Sequence, residues 1–225
     1  MAGLFITFEG GEGSGKTTQI GALSHHLRST GREVVVTRDP GGTLIGKQIR
    51  ALLLDRDHAH MAPNAELLLY QASRAQLVHE VVRPALAADR IVLCDRFTDS
   101  TVAYQGYGRR LDLDLIARLN TLATGGLRPD LTLLLDLDPV LGLARASQRM
   151  AERHEQQDRI EEEVLAFHQR VRTGYQCIVA EDPGRVTVLD ASAGMAEIAD
   201  RIRGRVEEVL LAAGHATASG MPASG

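Results

Sequence analysis

The 225 residues include only two cysteines, Cys94 and Cys177. They form no spacing motif, so neither a disulfide framework nor a thiolate metal site is written into the chain. Cys94 lies in the apolar run Ile91-Val92-Leu93-Cys94 and is read as a buried free thiol. Positive charge is not in surplus: 25 Lys and Arg stand against 29 Asp and Glu, a formal charge of -4 with histidine neutral. That balance speaks against a general affinity for nucleic acid. No apolar segment reaches membrane-spanning length, and the start lacks a basic region followed by an apolar stretch and cleavage site. The expectation is a cytoplasmic protein with no membrane partner. Eight histidines, among them His25-His26 and His58-Ala59-His60, show no ligand spacing and are read as surface residues.

Hydrophobic content of 44% and charged content of 24% are ordinary for a globular chain. Short apolar runs rich in β-branched residues alternate with longer helical patterns. The runs are Leu4 to Phe8, Glu33 to Thr37, Arg90 to Cys94, Leu131 to Leu135 and Arg185 to Leu189. Their nearly continuous apolar character suits strands buried on both faces, so the expected fold is α/β, a five-stranded parallel sheet flanked by helices on both faces. The first helix is expected from Lys16 to about Ser29, with Gly31 as its left-handed stop. Asn64 to Ala88 reads as one long helix that Pro84 kinks or ends early. No repeat or linker divides the chain. A single domain is expected over residues 1–213, followed by a small, polar and disordered tail over 214–225.

Gly10-Gly11-Glu12-Gly13-Ser14-Gly15-Lys16-Thr17 fits G-x-x-x-x-G-K-[ST], between an expected strand and an expected helix. Glycines let successive N–H groups turn inward around phosphate oxygens, Lys16 supplies a point charge, and the Thr17 hydroxyl is offered to Mg²⁺. The helix dipole points at the same anion. Residues Gly10 to Thr17, with Thr18, are therefore the expected ATP site. Ligands of an open α/β sheet lie beyond the carboxyl ends of its strands. Arg38, Asp95 and Arg96 fall there, and two arginines facing the loop suit an anionic acceptor.

Further segments occur in order at strand ends: Phe8-Glu9-Gly10, Thr37-Arg38-Asp39-Pro40-Gly41-Gly42-Thr43, Asp95-Arg96-Phe97-Thr98-Asp99-Ser100, Ala103-Tyr104-Gln105-Gly106-Tyr107-Gly108-Arg109, Pro129-Asp130 leading into Leu131 to Asp136, and Asp158-Arg159-Ile160-Glu161. With these the chain resembles thymidylate kinases, P-loop nucleoside monophosphate kinases, from about Leu4 to about Leu211. The resemblance implies a P-loop NTP hydrolase fold of the nucleoside monophosphate kinase type with a small lid. It also implies transfer of the γ-phosphate of ATP to thymidine monophosphate, dependence on Mg²⁺, and a homodimer.

By the same resemblance Arg38 and Arg96 hold the acceptor phosphate, Arg74 hydrogen-bonds the base, and Tyr70 stacks on it where the family usually has phenylalanine. Simple helix core is the other reading of Tyr70. Tyr104 and Gln105 close the pocket near base and sugar, with Tyr104 disfavouring a ribose 2′-hydroxyl, and Ser100 joins the acceptor side. Glu12 resembles the acidic residue that accepts from the sugar 3′-hydroxyl. Asp95 is assigned to Mg²⁺ through water or to orienting the arginines; Lys16, Asp95 and Arg96 form the catalytic set with a lid arginine. The lid is expected at about residues 145–159. The P-loop contains no arginine, so the lid is expected to supply it, Arg153 as first choice and Arg149 as second, four apart on one helix face. Asp39 stands where the family usually has glutamate, and Ser73 where it has aspartate.

A deoxynucleoside kinase would want a carboxylate base at the acceptor. A non-catalytic switch would not need Arg38 and Arg96.

Overall fold

In the computed structural model, residues 3–153, 157–212 and 214 are described. The outer part of the expected lid, His154 to Gln156, and nearly all of the expected tail lie outside the described residues.

Five strands form one parallel sheet: β1 (Leu4–Glu9), β2 (Val34–Arg38), β3 (Ile91–Asp95), β4 (Leu131–Asp136) and β5 (Val186–Asp190). Their order is β2-β3-β1-β4-β5. Nine α-helices among the described residues connect and cover them: α1 (Lys16–Ser29), α2 (Leu44–Leu54), α3 (Pro63–Leu77), α4 (Arg83–Ala87), α5 (Thr98–Thr101), α6 (Leu113–Thr124), α7 (Pro139–Arg153), α8 (Leu165–Glu181) and α9 (Met195–Ala212). The five-stranded parallel sheet with helical layers is the one expected, each strand beginning or ending about a residue later than the apolar runs suggested.

Strand alternation divides the core. Leu4, Ile6 and Phe8 pack with Ile20, Leu23 and Leu27 of α1 and Ile198, Ile202, Val206 and Leu210 of α9. Phe5 packs on the other face with Val92, Cys94, Phe97 and residues of α3 and α4. Residues two apart share a face, so Thr7 and Glu9 join Phe5. Thr7 Oγ1 lies 2.8 Å from Thr132 Oγ1 there. Cys94 is a buried free thiol, as expected.

One expectation needs correction. The outer strands are not buried on both faces: Val36 of β2 is 45% exposed and Val188 of β5 is 43% exposed. An edge strand has one lateral neighbour and incomplete helix cover, and apolar character alone does not report position in the sheet.

The long helix runs on past Pro84, as expected, but its winding changes just upstream. α3 ends at Leu77, a π-helical turn occupies Val78–Val82, and α4 starts at Arg83. Proline has no N–H to continue the ladder. The wider turn, closed by the Arg83 amide on the Val78 carbonyl, absorbs that break. A second π-helical stretch, Val102–Gly108, follows α5 and carries Tyr104 and Gln105. Its packing against α8 is close enough that a Cβ at Gly174 would stand 2.8 Å from the Tyr107 ring.

Candidate active site

The loop between β1 and α1 is shaped by left-handed glycines. Gly10 has φ 137° and Gly13 φ 66°. A side chain at Gly10 would strike the Leu135 carbonyl of β4, and one at Gly13 would strike the Gly142 carbonyl of α7. The back of the loop is thus pressed against the helix that leads into the expected lid.

Lys16 is buried and folded onto the loop itself. Its ammonium donates to the Gly10 and Gly11 carbonyls at 3.0 and 2.9 Å and to Ser14 Oγ at 3.3 Å. Burial, together with Arg96, lowers the ammonium to about 8 against the support of Glu12, Asp95 and Glu9. Thr17 Oγ1 faces Asp95 Oδ2 at 3.5 Å. Thr17 and Thr18 line the same cleft as Glu12, Lys16, Arg38, Asp95 and Arg96.

Strand register explains why Arg96 meets the loop. Phe8 of β1 pairs with Asp95 of β3, and the Arg96 amide continues the ladder to the Phe8 carbonyl at 2.9 Å. Its backbone then turns left-handed, at φ 69°. The guanidinium donates to the Gly10 carbonyl at 2.9 Å, to Glu12 Oε1 at 2.7 Å, and to Ser100 Oγ and the Tyr175 hydroxyl at 3.3 Å each. It lies over the Tyr104 ring, 4.8 Å from the centroid, while the Tyr104 hydroxyl donates to Glu12 at 2.9 Å. Burial would raise the Glu12 acid, but the charges of Arg96 and Lys16 and the Tyr104 bond bring it down to about 2.

On the acceptor side, Arg38 ends β2 and is exposed. Arg50 of α2 reaches the same cleft and donates to the Pro40 carbonyl at 3.4 Å. Burial and the neighbouring Arg38 charge lower its guanidinium.

A second pocket contains Glu12, Tyr70, Arg74, Arg96, Ser100, Tyr104 and Gln105 together. Tyr70 is half-buried and lines it. Arg74 borders it with its donors engaged by protein. Nε meets Asp39 Oδ2 at 2.5 Å; Nη1 meets Asn120 at 2.7 Å and Gln71 at 3.3 Å; Nη2 meets Thr101 Oγ1 at 2.6 Å and the Phe97 carbonyl at 3.2 Å. Asp39 therefore serves first as the Arg74 counter-ion, and Ser73 Oγ accepts from the Gly41 amide at 3.2 Å.

The expected lid arginines separate. Arg145 donates to the Ala191 carbonyl at 2.8 Å, toward β5. Arg149 lines the cleft that holds Lys16 and Arg96 and lies 3.5 Å from Glu161. Arg153 ends α7, and its side chain lies outside the described residues.

Several participants were missing from the sequence reading. Arg50 shares a helical phase with Gly46, a spacing that gives no hint of a ligand. Asp158 and Glu161, noted only as part of a motif, line the cleft. Glu9 is fully buried and accepts from the Phe97 amide at 2.8 Å, the Ser100 amide at 3.3 Å, Ser100 Oγ at 2.5 Å and the Tyr175 hydroxyl at 2.8 Å. It ties the turn after Arg96 to the base of the loop. An acidic residue closing a strand buried on both faces was the available signal.

The family model described as thymidylate kinase matches residues 8–202. A thymidylate kinase of Geobacter sulfurreducens is 56% identical over 194 residues, covering 86% of this chain and 91% of that one. One of Gloeobacter violaceus is 54% identical over 92% of this chain and 96% of its own. The crystal structure of thymidylate kinase from Ehrlichia chaffeensis superposes with a TM-score of 0.73 at 33% identity, covering 92% and 99% of the two chains.

Burial and Asp99 push the Glu9 acid up from 4.5 to about 7, against lowering by Arg96, Ser100 and Tyr175. The stability this group contributes is complete below pH 4.5 and lost as pH rises through about 7. Glu9→Gln cannot ionise, so its urea midpoint is expected to drop less than the parent's between pH 5 and pH 8. An equal drop in both proteins would remove Glu9 from the linkage.

Proposed function

The chain belongs to the thymidylate kinase family and transfers the γ-phosphate of ATP to thymidine monophosphate, and we propose that the two joined pockets around Arg96 divide this work between donor and acceptor. The observation that carries the division is the Arg96 guanidinium, which touches the P-loop carbonyl Gly10 and the acceptor-side residues Glu12 and Ser100 at once.

ATP phosphates enter the nest of loop amides from Gly10 to Thr18, drawing Lys16 off the loop carbonyls. Thr17 and Asp95 would hold Mg²⁺, Asp95 through water; a hydroxyl and a carboxylate facing each other at the loop mouth are the hard oxygen donors that suit it. Bound there, the ion would neutralise charge on the β- and γ-phosphates. Arg38, Arg50 and Arg96 hold the acceptor phosphate, which is largely ionised near neutral pH and needs no base. Its oxygen attacks the γ-phosphorus as the bond to the β–γ bridging oxygen breaks, giving the diphosphates of thymidine and adenosine. Lys16, Arg96 and a lid arginine meet the charge that spreads over the transferred group. Arrival of the acceptor phosphate displaces Glu12 from Arg96, freeing that carboxylate for the sugar 3′-hydroxyl. Tyr70 stacks on thymine, Gln105 reads its edge, and Tyr104 crowds the 2′ position; Arg74, its donors taken by Asp39, Gln71, Asn120, Phe97 and Thr101, borders the base pocket without a donor left for the edge.

Arg149 lines the cleft, which supports it as the lid cation. Arg149→Ala is expected to lower kcat roughly 10²-fold with little change in KM for ATP. A larger loss in Arg153→Ala would transfer the role one helical turn outward. With ATP and Mg²⁺, turnover of thymidine monophosphate should exceed that of the uridine, cytidine and guanosine monophosphates. Equal or faster turnover of the uridine or cytidine compound would sink the acceptor assignment.

Two further points belong to this reading. No helix among the described residues is long and apolar enough to cross a membrane, and two cysteines without a disulfide suit a cytoplasmic location. A homodimer is supported by the helical layer in which α3 packs on both α2 and α6. Its outer side exposes Leu44, Ile45, Leu52, Leu68 and Leu122. Sedimentation should give twice the chain mass, and Leu68→Glu should return it to the monomer; a monomeric parent would dismiss the dimer.

A further inference from the structure

Glu66 of α3 is 1% exposed and takes no part in the chemistry above. Its two oxygens accept three hydrogen bonds and meet a second guanidinium as an ion pair. Gln105 Nε2 and Arg109 Nε donate to Oε1 at 2.8 and 3.1 Å. Arg109 Nη2 donates to Oε2 at 3.0 Å, and Arg159 Nη2 lies 2.6 Å from the same oxygen. Burial alone would raise this acid, but the bonds and charge of Arg109, with Gln105 and Arg159, outweigh it and hold the carboxyl below its ordinary range. Facing two guanidiniums, Glu66 is a carboxylate, and a carboxylate only accepts.

That fixes the polarity of a neighbour. The oxygen and nitrogen of a glutamine amide are interchangeable in shape, and the hydrogen-bond network decides which way round they stand. Beside an ionised Glu66, Gln105 must turn its NH₂ inward. Its Oε1 is then the atom left for the pocket it lines with Tyr70, Arg74 and Tyr104, and it has no hydrogen-bond partner among the described residues. Thymine carries a donor, N3–H, at the middle of its pairing edge; cytosine carries a lone pair on the same atom.

We propose that Glu66 is a specificity-determining positioning residue: by holding Nε2 of Gln105 it presents Oε1 to the base, which accepts from thymine N3–H and repels the N3 lone pair of cytosine. The proposal rests on the reading of this pocket as the base site. It gives the buried Glu66–Arg109–Arg159 cluster a purpose beyond packing, because the two arginines keep the carboxylate from ever acting as a donor.

The test is the ratio of kcat/KM for thymidine monophosphate over deoxycytidine monophosphate, measured on the full chain with ATP and Mg²⁺. Glu66→Gln puts at this position an amide that donates and accepts alike, so Gln105 is free to reverse. The ratio is expected to fall about tenfold or more, through a gain or a smaller loss for the cytosine substrate. A proportional fall in both efficiencies, or no change, overturns the proposal, because a merely structural role moves both substrates together. Gln105→Leu separates this from the underlying reading. If it leaves the ratio unchanged, the pocket is not the base site and both ideas fail. If it lowers the ratio while Glu66→Gln does not, the base site stands and the role of Glu66 is lost. Should Glu66→Gln fail to fold, Gln105→Asn keeps an amide but draws it out of reach of Glu66. The same fall in ratio is expected there, and an unchanged ratio overturns the proposal.

Discussion

The guanidinium of Arg96 is the contact through which loop, acceptor pocket and sheet constrain one another. A buried cation is tolerable only where acceptors and counter-charge surround it. Here they come from the Gly10 carbonyl, Glu12, Ser100 and Tyr175. Those partners belong to the P-loop, to α5 and to α8, so the side chain proposed to meet phosphate also ties three elements around the cleft. The cost is a left-handed backbone at a residue with a Cβ, φ 69°. It is borne by the turn that the Phe8 carbonyl and the Glu9 carboxylate secure.

The same arrangement explains how a cleft crowded with cations persists before substrate arrives. Lys16 lies on loop carbonyls, Arg96 on Glu12, and Arg149 near Glu161. On the proposed reading an incoming phosphate takes the place of each of these acceptors, so that binding exchanges protein carbonyls and carboxylates for phosphate oxygens. Arg38 and Arg50 lie close enough for burial and the Arg38 charge to lower the Arg50 guanidinium, and on that reading a doubly charged phosphate between them would relieve the repulsion. Behind the loop, Gly13 lies against the Gly142 carbonyl of α7, the helix that carries Arg149.

The legibility of the site followed the range of the interactions that build it. Gly10 to Thr17 could be read at once, because its anion-binding shape comes from neighbouring backbone conformations and from the residues that permit them. The positions of Arg38, Asp95 and Arg96 could be read almost as well, since each directly follows an apolar strand and strand ends fix where ligands gather. Tyr70, Arg74 and Gln105 needed the family resemblance. Their helical surroundings look like ordinary core, and the π-helical turn that aims Gln105 has no periodic signature. Glu9, Arg50 and Glu66 were invisible as participants: the partners of Glu9 and Glu66 lie 39 or more residues away, and a lone charged residue in an apolar stretch does not name its counter-ion.

What the sequence determined by itself was a phosphate-binding loop on a parallel sheet, because local backbone preference and strand burial are encoded within a few residues of one another. Edge exposure of β2 and β5, the pairing of Asp39 with Arg74 and the polarity of the Gln105 amide were decided only in the tertiary structure. Each depends on which distant groups arrive at the same place, and a buried charge or amide takes its orientation from the partner it finds there. Sequence chose the chemistry; packing chose which atom of each side chain faces the ligand.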